Sequence, residues 1–407
     1  MTYDLSEGDV AFLRSRYGSK ALEFAAELQV TPSTLVADLG QLRARYPEHF
    51  AAVAEVTAAR RRAVGKLRYA DQLLADDDAV QQATAAPVAA LRAADIASLH
   101  HGALVHDVTC SIGAELTALA AEPGIGGVIG SDLDHIRLAM AQHNLSVAGG
   151  TGPRPTLLRA DALTVTSTAD LVIADPGRRN TRGRVFGIDQ LDPPLLELLS
   201  VYAGRALAVK CSPGLDYRNL RTRFGFDGQV QVVSLDGGVR EACLWTEVPG
   251  LPENRASVLR TMSDGRPRLY EVTSGDPDAL DDPGVDEWII DPDGAVVRSG
   301  LVRQYAHRHG LRQLDPQIAY LTGDHVPVGE RGFRILEQLP VTEKVLRGAL
   351  AARKCGSLEI LVRGLDIDPD RLRKKLKLKG AEPYALVMTR IGRQGVAFLC
   401  EPGIRAT

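Results

Sequence analysis

Residues from about His100 to Pro249 predict a doubly wound α/β domain, because short apolar runs alternate there with helically spaced segments. Two flanking patterns complete the expected fold class. A helical stretch precedes this domain, and a small α+β unit, with strand-like runs around a capped basic helix, follows it. The chain has 407 residues, 45% hydrophobic and 24% charged, with a net charge of −3 at neutral pH, the balance of a globular protein able to bury a substantial core. That charge gives no global pull toward nucleic acid, so any basic surface must be local. The five cysteines lie far apart and form no C-x-x-C pair, so neither a disulfide framework nor a metal site is expected. No apolar leader opens the chain and no stretch approaches ~20 uninterrupted apolar residues, which predicts a cytoplasmic protein without a membrane span.

In order, residues 1–98 are rich in Ala, Leu and Arg at helical spacing and predict an N-terminal helical domain. Within it, Leu22 to Val36 scans like a helix-turn-helix, but the second helix offers few base-reading side chains near its start, and a plain helical hairpin is the expectation. Residues 99–250 carry the predicted strands Ala103 to Val108, Val128 to Ser131, Leu171 to Ala174, Ala206 to Lys210 and Val230 to Ser234, a βαβ texture that implies a mostly parallel sheet. Prolines, glycines and aspartates such as Asp276-Pro-Asp and Asp291-Pro-Asp-Gly294 then punctuate residues 251–330, which read as an irregular connecting region. Residues 331–407 form the last unit. Its predicted strands are Ser357 to Val362 and Tyr384 to Thr389, flanking a helix begun by Asp368-Pro369 and closed by Gly380.

The chemistry is concentrated at the ends of the predicted parallel strands. Val105-His-Asp-Val-Thr-Cys-Ser-Ile-Gly113 is an apolar strand that ends in Asp107 and runs through Thr109, Cys110 and Gly113 into a helix. In a doubly wound sheet that turn lies at the carboxyl edge, where ligands bind, and its small residues let a ligand approach the backbone. It is not a G-x-G-x-x-G fingerprint, since Ser111 stands where glycine would be wanted. The next strand ends in Asp132, followed by Leu133, where a carboxylate can take both hydroxyls of a ribose. Asp161 and Ala162 close a third strand, and a fourth ends Leu171-Val-Ile-Ala-Asp-Pro-Gly-Arg-Arg179. An aspartate at one strand end is common; Asp107, Asp132, Asp161 and Asp175 in series, at this spacing, point to a nucleoside cofactor.

These motifs resemble those of the class I S-adenosylmethionine-dependent methyltransferases. The resemblance implies a Rossmann-like sheet in which Asp107, Thr109, Cys110 and Gly113 hold the methionine moiety. It implies that Asp132 and Leu133 take the ribose side, that Asp161 and Ala162 take the adenine, and that Asp175 contacts both the cofactor and the acceptor. The C-terminal stretch, Glu337-Gln-Leu-Pro-Val-Thr-Glu-Lys344 and Arg363-Gly-Leu-Asp-Ile-Asp-Pro369, resembles a bacterial group with a THUMP-like domain, related to RNA-binding modules.

The implied reaction is an in-line displacement on the sulfonium methyl, achieved mainly by holding the reacting atoms in line. Asp175, Pro176 and Arg178 are the candidate catalytic residues. Family members that methylate exocyclic amines carry Asn/Asp-Pro-Pro-aromatic there, whereas this chain reads Asp175-Pro-Gly-Arg-Arg179 and lacks the aromatic. Stacking would then fall to Arg178, Arg179, Phe186 or Tyr217. Arg178, Arg179 and Arg182 suit an anionic substrate such as a phosphate backbone. Cys211, after the fifth strand, faintly resembles the cysteine of uracil-C5 methyltransferases, with Lys210 beside it to lower a thiol pKa, although a cysteine so placed is most often a core residue.

The run Arg371-Leu-Arg-Lys-Lys-Leu-Lys-Leu-Lys379 places cations, including Lys374, Lys375 and Lys377, on the outer face of a helix with leucines inward. Arg60-Arg-Arg62 with Lys66 and Arg68 could extend that surface. Together these features predict S-adenosylmethionine as cofactor and structured RNA, rRNA or tRNA, as partner. A methyltransferase acting on a small molecule or protein remains the alternative, as does a nucleic-acid-binding module that keeps the fold without activity.

Overall fold

A computed structural model describes residues 3–31, 33–149, 152, 154–178, 191–280 and 283–406. The chain divides into two compact units, residues 1–229 with 241–251, and residues 230–240 with 252–407.

The first unit opens with helices α1 (Glu7–Arg14), α2 (Arg16–Glu27), α3 (Leu35–Arg45), α4 (Phe50–Ala63), α5 (Asp77–Gln82) and α6 (Ala86–Leu99). Leu13, Leu22, Leu42, Val53, Val56 and Leu74 meet in its helical core. The basic trio of α4 is spent inside this segment. Arg60 donates to the carbonyls of Gln72 and Leu73, Arg61 to those of Ala26 and Gln29 at the end of α2, and Arg62 pairs with Asp77. Lys66 likewise donates to the Val80 and Gln81 carbonyls at the end of α5. Arg61 and Lys66 thus satisfy helix-end carbonyls, Arg60 turn carbonyls and Arg62 a carboxylate.

There follow β1 (Ala103–Asp107), α7 (Ala114–Ala121), β2 (Ile125–Asp132), α8 (His135–Ala148), β3 (Thr156–Arg159), β4 (Leu171–Ala174), a short ribbon of β5 (Gly177–Arg178) and β6 (Leu191–Asp192), α9 (Leu195–Val201), β7 (Ala206–Cys211) and α10 (Tyr217–Phe224). After β8 (Gln229–Leu235), β9 (Gly238–Thr246) returns antiparallel to β7. The strand order β3-β2-β1-β4-β7-β9 is parallel except for β9. The chain leaves β1 toward β2 and β3, then comes back to β4 on the other side. The carboxyl ends of β1 and β4 therefore flank the topological switch point, where doubly wound sheets bind ligands. Each expected parallel strand is present, with β2 beginning earlier than expected and β3 ending at Arg159, so Asp161 lies two residues beyond its strand.

In the second unit, β8 runs parallel to β10 (Asn254–Thr261), which pairs antiparallel with β11 (Pro267–Thr273). Then come β12 (Trp288–Asp291), α11 (Gly294–Arg298), α12 (Val302–Arg308), β13 (Arg312–Asp315), β14 (Ile318–Gly323), β15 (Arg331–Pro340), α13 (Glu343–Ala352), β16 (Cys355–Val362), α14 (Pro369–Leu376), β17 (Glu382–Ile391), β18 (Gln394–Cys400) and β19 (Ile404–Arg405). Residues 251–330 are thus regular structure, correcting the irregular connection expected there. The Pro, Gly and Asp clusters are its turns, and β12 to β14 join β15 to β18 in one sheet ordered β13-β14-β12-β15-β18-β17-β16. Period-two alternation gives this sheet two apolar faces. Leu386, Met388, Ala397 and Leu399 pack with Leu346, Leu350 and Leu376 of the helices, while Ala385, Val387 and Phe398 pack with Ile289, Tyr320 and Phe333.

Candidate active site

Strand β1 is buried along most of its length and delivers Asp107, 3% exposed, to the carboxyl edge. The Thr109 amide donates to Asp107 Oδ1 at 3.0 Å, and Thr109 Oγ1 accepts the Asp175 amide at 2.6 Å, so one threonine ties the ends of β1 and β4 together. The turn is tight. Ser111 takes a left-handed φ of +47° and Gly113 one of +79°, and a Cβ on Gly113 would lie 3.3 Å from that of Ala141. The glycine at 113 therefore serves both backbone conformation and helix packing. Ser111 adopts the left-handed state without being glycine, with its amide donating to Asp132 Oδ2 at 2.9 Å and its hydroxyl accepting from Arg137 at 3.1 Å.

The Asp134 amide binds the other Asp132 oxygen at 2.9 Å, so Asp132 is oriented at both oxygens by backbone. Leu133 beside it is 61% exposed, an apolar side chain at the lip of the edge. Asp161 is exposed and Oδ1 accepts the Leu163 amide at 2.9 Å; Ala162 is buried and its carbonyl accepts the Tyr202 hydroxyl. The Cys110 side chain turns into the core with Val105, Leu116 and Val128, so its backbone forms the wall of the turn. Pro176 leads into β5, where only the backbone of Arg178 is described; Arg179, Arg182, Arg184 and Phe186 lie outside the described residues.

A cleft beside the turn is lined by Asp107, Thr109, Ser111, Glu115, Asp175 and Lys210, with Gln82 and Thr84 from the helical segment; Asp132, Leu133, Asp161 and Ala162 are not among its walls. Its floor is charged in a pattern that sequence reading missed. Arg92 of α6, 2% exposed, donates to Glu115 at 2.6 Å and to Glu241 at 2.5 Å, while Lys210 pairs with Asp175. Burial pushes the Asp107 carboxyl up to about 7, with repulsion from Glu115 and Asp175 adding to it, against the Thr109 amide and Lys210. Glu115 Oε2 is buried without a hydrogen-bond partner. Of the carboxylates at this floor, Asp107 alone has neither an ion pair nor a protein donor beyond the neighbouring turn among the described residues.

Three comparisons bear on this geometry. Residues 330–402 match the family model described as THUMP domain-like. The chain is 46% identical over 375 residues to an uncharacterized S-adenosylmethionine-dependent methyltransferase of Mycobacterium tuberculosis, known in strains CDC 1551 and H37Rv, with 89% of this chain and 99% of the relative covered. The chain belongs to the S-adenosylmethionine-dependent methyltransferases. The fold agrees with that of a candidate methyltransferase from Porphyromonas gingivalis W83, at a TM-score of 0.73 and 20% identity over 98% of this chain and 99% of the other.

The residues of this methyltransferase fit its cofactor. A buried carboxylate at Asp107 without an ion pair and an oriented carboxylate at Asp132 suit a ligand that combines an ammonium with ribose hydroxyls. Cys211 has the environment of a core residue. It is 7% exposed, burial foremost holds its thiol well above the ordinary range, and Lys210 is engaged by Asp175 instead. His106 of β1 is buried between the hydroxyls of Ser131 and Ser167, and burial lowers it to about 4.

The C-terminal basic run departs from expectation. Helix α14 stops at Leu376, and Lys377 takes the left-handed cap at φ +50°, three residues before Gly380. Gly380 is small for another reason, since a Cβ there would meet the Lys354 carbonyl oxygen at 1.6 Å. Leu372, Leu376 and Leu378 do face the core. Among the cations, Arg373 pairs with Asp370 at 2.6 Å and Lys375 with Glu343 at 3.7 Å. Lys374, Lys377 and Lys379 are exposed and form no ion pair among the described residues.

Proposed function

We propose that this methyltransferase modifies a base of structured RNA, rRNA or tRNA, in the cytoplasm. The observation that carries the reading is the trio Lys374, Lys377 and Lys379, exposed and unpaired within the region that matches a THUMP-like model. Such cations hold phosphates and position without reading bases.

S-adenosylmethionine supplies an electrophilic methyl on a sulfonium. Asp107, with the backbone of Thr109, Cys110 and Gly113, holds the ammonium end. Asp132 would accept from the ribose hydroxyls with Leu133 beside it, and Asp161 with Ala162 would border the adenine amino group. Asp175 would border the donor and, with the Pro176 carbonyl, accept hydrogen bonds from the acceptor group, and Arg178, Arg179 and Arg182 would suit the phosphates of the strand that carries it. Little acid–base chemistry is required beyond this, and alignment supplies most of the acceleration.

The test is transfer of labelled methyl from S-adenosylmethionine to total RNA of a strain lacking the enzyme, followed by mapping of the labelled nucleoside. Label in one rRNA or tRNA position is expected. Label that enters only protein or small molecules overturns the RNA reading. Asp175→Ala should bind cofactor and lose turnover, and Cys211→Ala should stay active.

A further inference from the structure

Lys210 is an anomaly at the end of an apolar strand, Ala206-Leu-Ala-Val-Lys-Cys211, every residue of which is buried. The parallel register pairs Ala174 with Val209, which sets the next residues, Asp175 and Lys210, side by side at the carboxyl edge. Lys210 is 7% exposed, and an ammonium so buried is tolerated only when paired. Its ion pair is with Oδ2 of Asp175, whose side chain is 40% exposed and lines the cleft. Asp175 Oδ1 accepts no hydrogen bond among the described residues.

We propose that Lys210 is a positioning residue for methyl transfer: it holds Asp175 by one oxygen and leaves the other for the acceptor, an inference that rests on the reading of Asp175 given above. A carboxylate on a loop after a strand, tied only by its backbone amide, would sample several rotamers. The grip of Lys210 selects one of them. Lys210 is held in turn. Burial alone would lower its pKa, but Asp175, then Glu241 of β9 and Glu115 of α7, outweigh burial and the repulsion of Arg92, and keep the ammonium above the ordinary lysine range. Glu115 and Glu241 are themselves clamped by Arg92 of α6, which fixes the anions whose field acts on Lys210. Stability alone does not account for it, since well-packed apolar residues commonly replace a buried ion pair without loss.

The test compares Lys210→Met and Lys210→Arg with the wild type, on whichever acceptor the wild type methylates. For Lys210→Met, kcat should fall on the order of a hundredfold, the cost of a reacting group misplaced by about 1 Å, while cofactor Kd and acceptor KM stay within about threefold. Lys210→Arg keeps the charge with a different fork and should recover roughly tenfold of that loss. In an Asp175→Asn background the methionine substitution should cost no further activity, because its effect passes through Asp175. A kcat within threefold of wild type in folded Lys210→Met, or a loss mirrored in cofactor affinity, overturns the proposal. If Lys210→Met does not fold, Lys210→Arg carries the test, and unchanged kcat there overturns it. A crystal structure of the variant needs no acceptor: Asp175 should leave its present rotamer, and an unmoved carboxylate overturns the role of Lys210 even where RNA proves not to be the substrate.

Discussion

Replacing Asp107 by asparagine should stabilise the ligand-free enzyme and weaken its hold on cofactor. The carboxyl is 3% exposed and rises to about 7 in the fold, from an ordinary value near 4. A group raised in the folded state favours folding fully below its unfolded pKa, and that advantage is lost as pH climbs through the folded value. Ionised Asp107 therefore costs nothing below pH ~4 and increasingly more up to pH ~7. At about 1.4 kcal/mol per pH unit, the penalty at pH 8 is roughly 2–4 kcal/mol. The asparagine side chain keeps an oxygen for the Thr109 amide and carries no charge, so the penalty disappears. Thermal melts of the ligand-free pair from pH 5 to 9 should show near-equal midpoints at the acid end. By pH 8 the Asp107→Asn midpoint should stand several degrees higher. Calorimetric titration with S-adenosylmethionine should show the reverse order. A charge-assisted contact worth roughly 1.5–3 kcal/mol is lost, so Kd rises about ten- to hundredfold at pH 8. Wild-type affinity should strengthen from pH 6 to 8, whereas that of the variant stays flat. A variant less stable than wild type at every pH, with cofactor affinity unchanged, would falsify this account of Asp107.

Other residues give sharp expectations. Asp132→Asn keeps one acceptor for the turn amides but loses the anion, and cofactor Kd should rise at least about tenfold; unchanged affinity by calorimetry removes Asp132 from the site. Arg92→Met leaves Glu115 and Glu241 buried without their cation and should cost roughly 3–5 kcal/mol in denaturant melts, a cost that adding Glu115→Gln should partly relieve; a loss below ~1 kcal/mol would mean the pair is not desolvated. Lys374, Lys375, Lys377 and Lys379 to Gln should weaken matched and mismatched RNA alike. Three of these cations are unpaired, so the slope of log affinity on log salt should flatten by roughly 2–3. An unaltered slope reduces the run to a solvated face.

Strand ends were legible because a parallel strand buried on both faces is an apolar run, and the aspartate that stops it marks the edge. Asp107, Asp132 and Asp175 were found in that way. The charged floor was not, since Arg92 meets partners 23 and 149 positions away and no local pattern encodes that meeting. The available signal was one charge inside an apolar run, Lys210 in Ala206-Leu-Ala-Val-Lys and Arg92 in Ala-Ala-Leu-Arg-Ala-Ala. Two errors share a cause. Gly380 reads as a helix cap and the punctuation of residues 251–330 as irregular chain, because Gly, Pro and Asp mark any tight backbone, whether a helix end, a hairpin turn or a close approach between strands.

The floor of the cleft also bears on how donor and spent product are told apart. Asp107, Glu115, Asp175 and Lys210 line it, and the buried Arg92 pairs with Glu115 and Glu241. Arg92 serves the two glutamates and Lys210 serves Asp175, which leaves Asp107 without an ion pair; burial first, then repulsion from Glu115 and Asp175, raises its pKa. Any ligand that seats its ammonium against Asp107 relieves part of this imbalance, and a further positive charge on the ligand relieves more of it. S-adenosylmethionine carries such a charge through its sulfonium, and transfer of the methyl leaves a neutral thioether in S-adenosylhomocysteine. The anion of Asp107 should therefore favour donor over product by more than shape alone, and the preference should grow as Asp107 ionises between pH 6 and 8. Asp107→Asn should narrow the ratio of the two Kd values toward its acid-pH value and leave it independent of pH. Competition calorimetry with both ligands measures that ratio directly. A ratio equal in wild type and variant at pH 8 would mean that the floor does not distinguish the two, and that discrimination lies with residues around the transferred methyl.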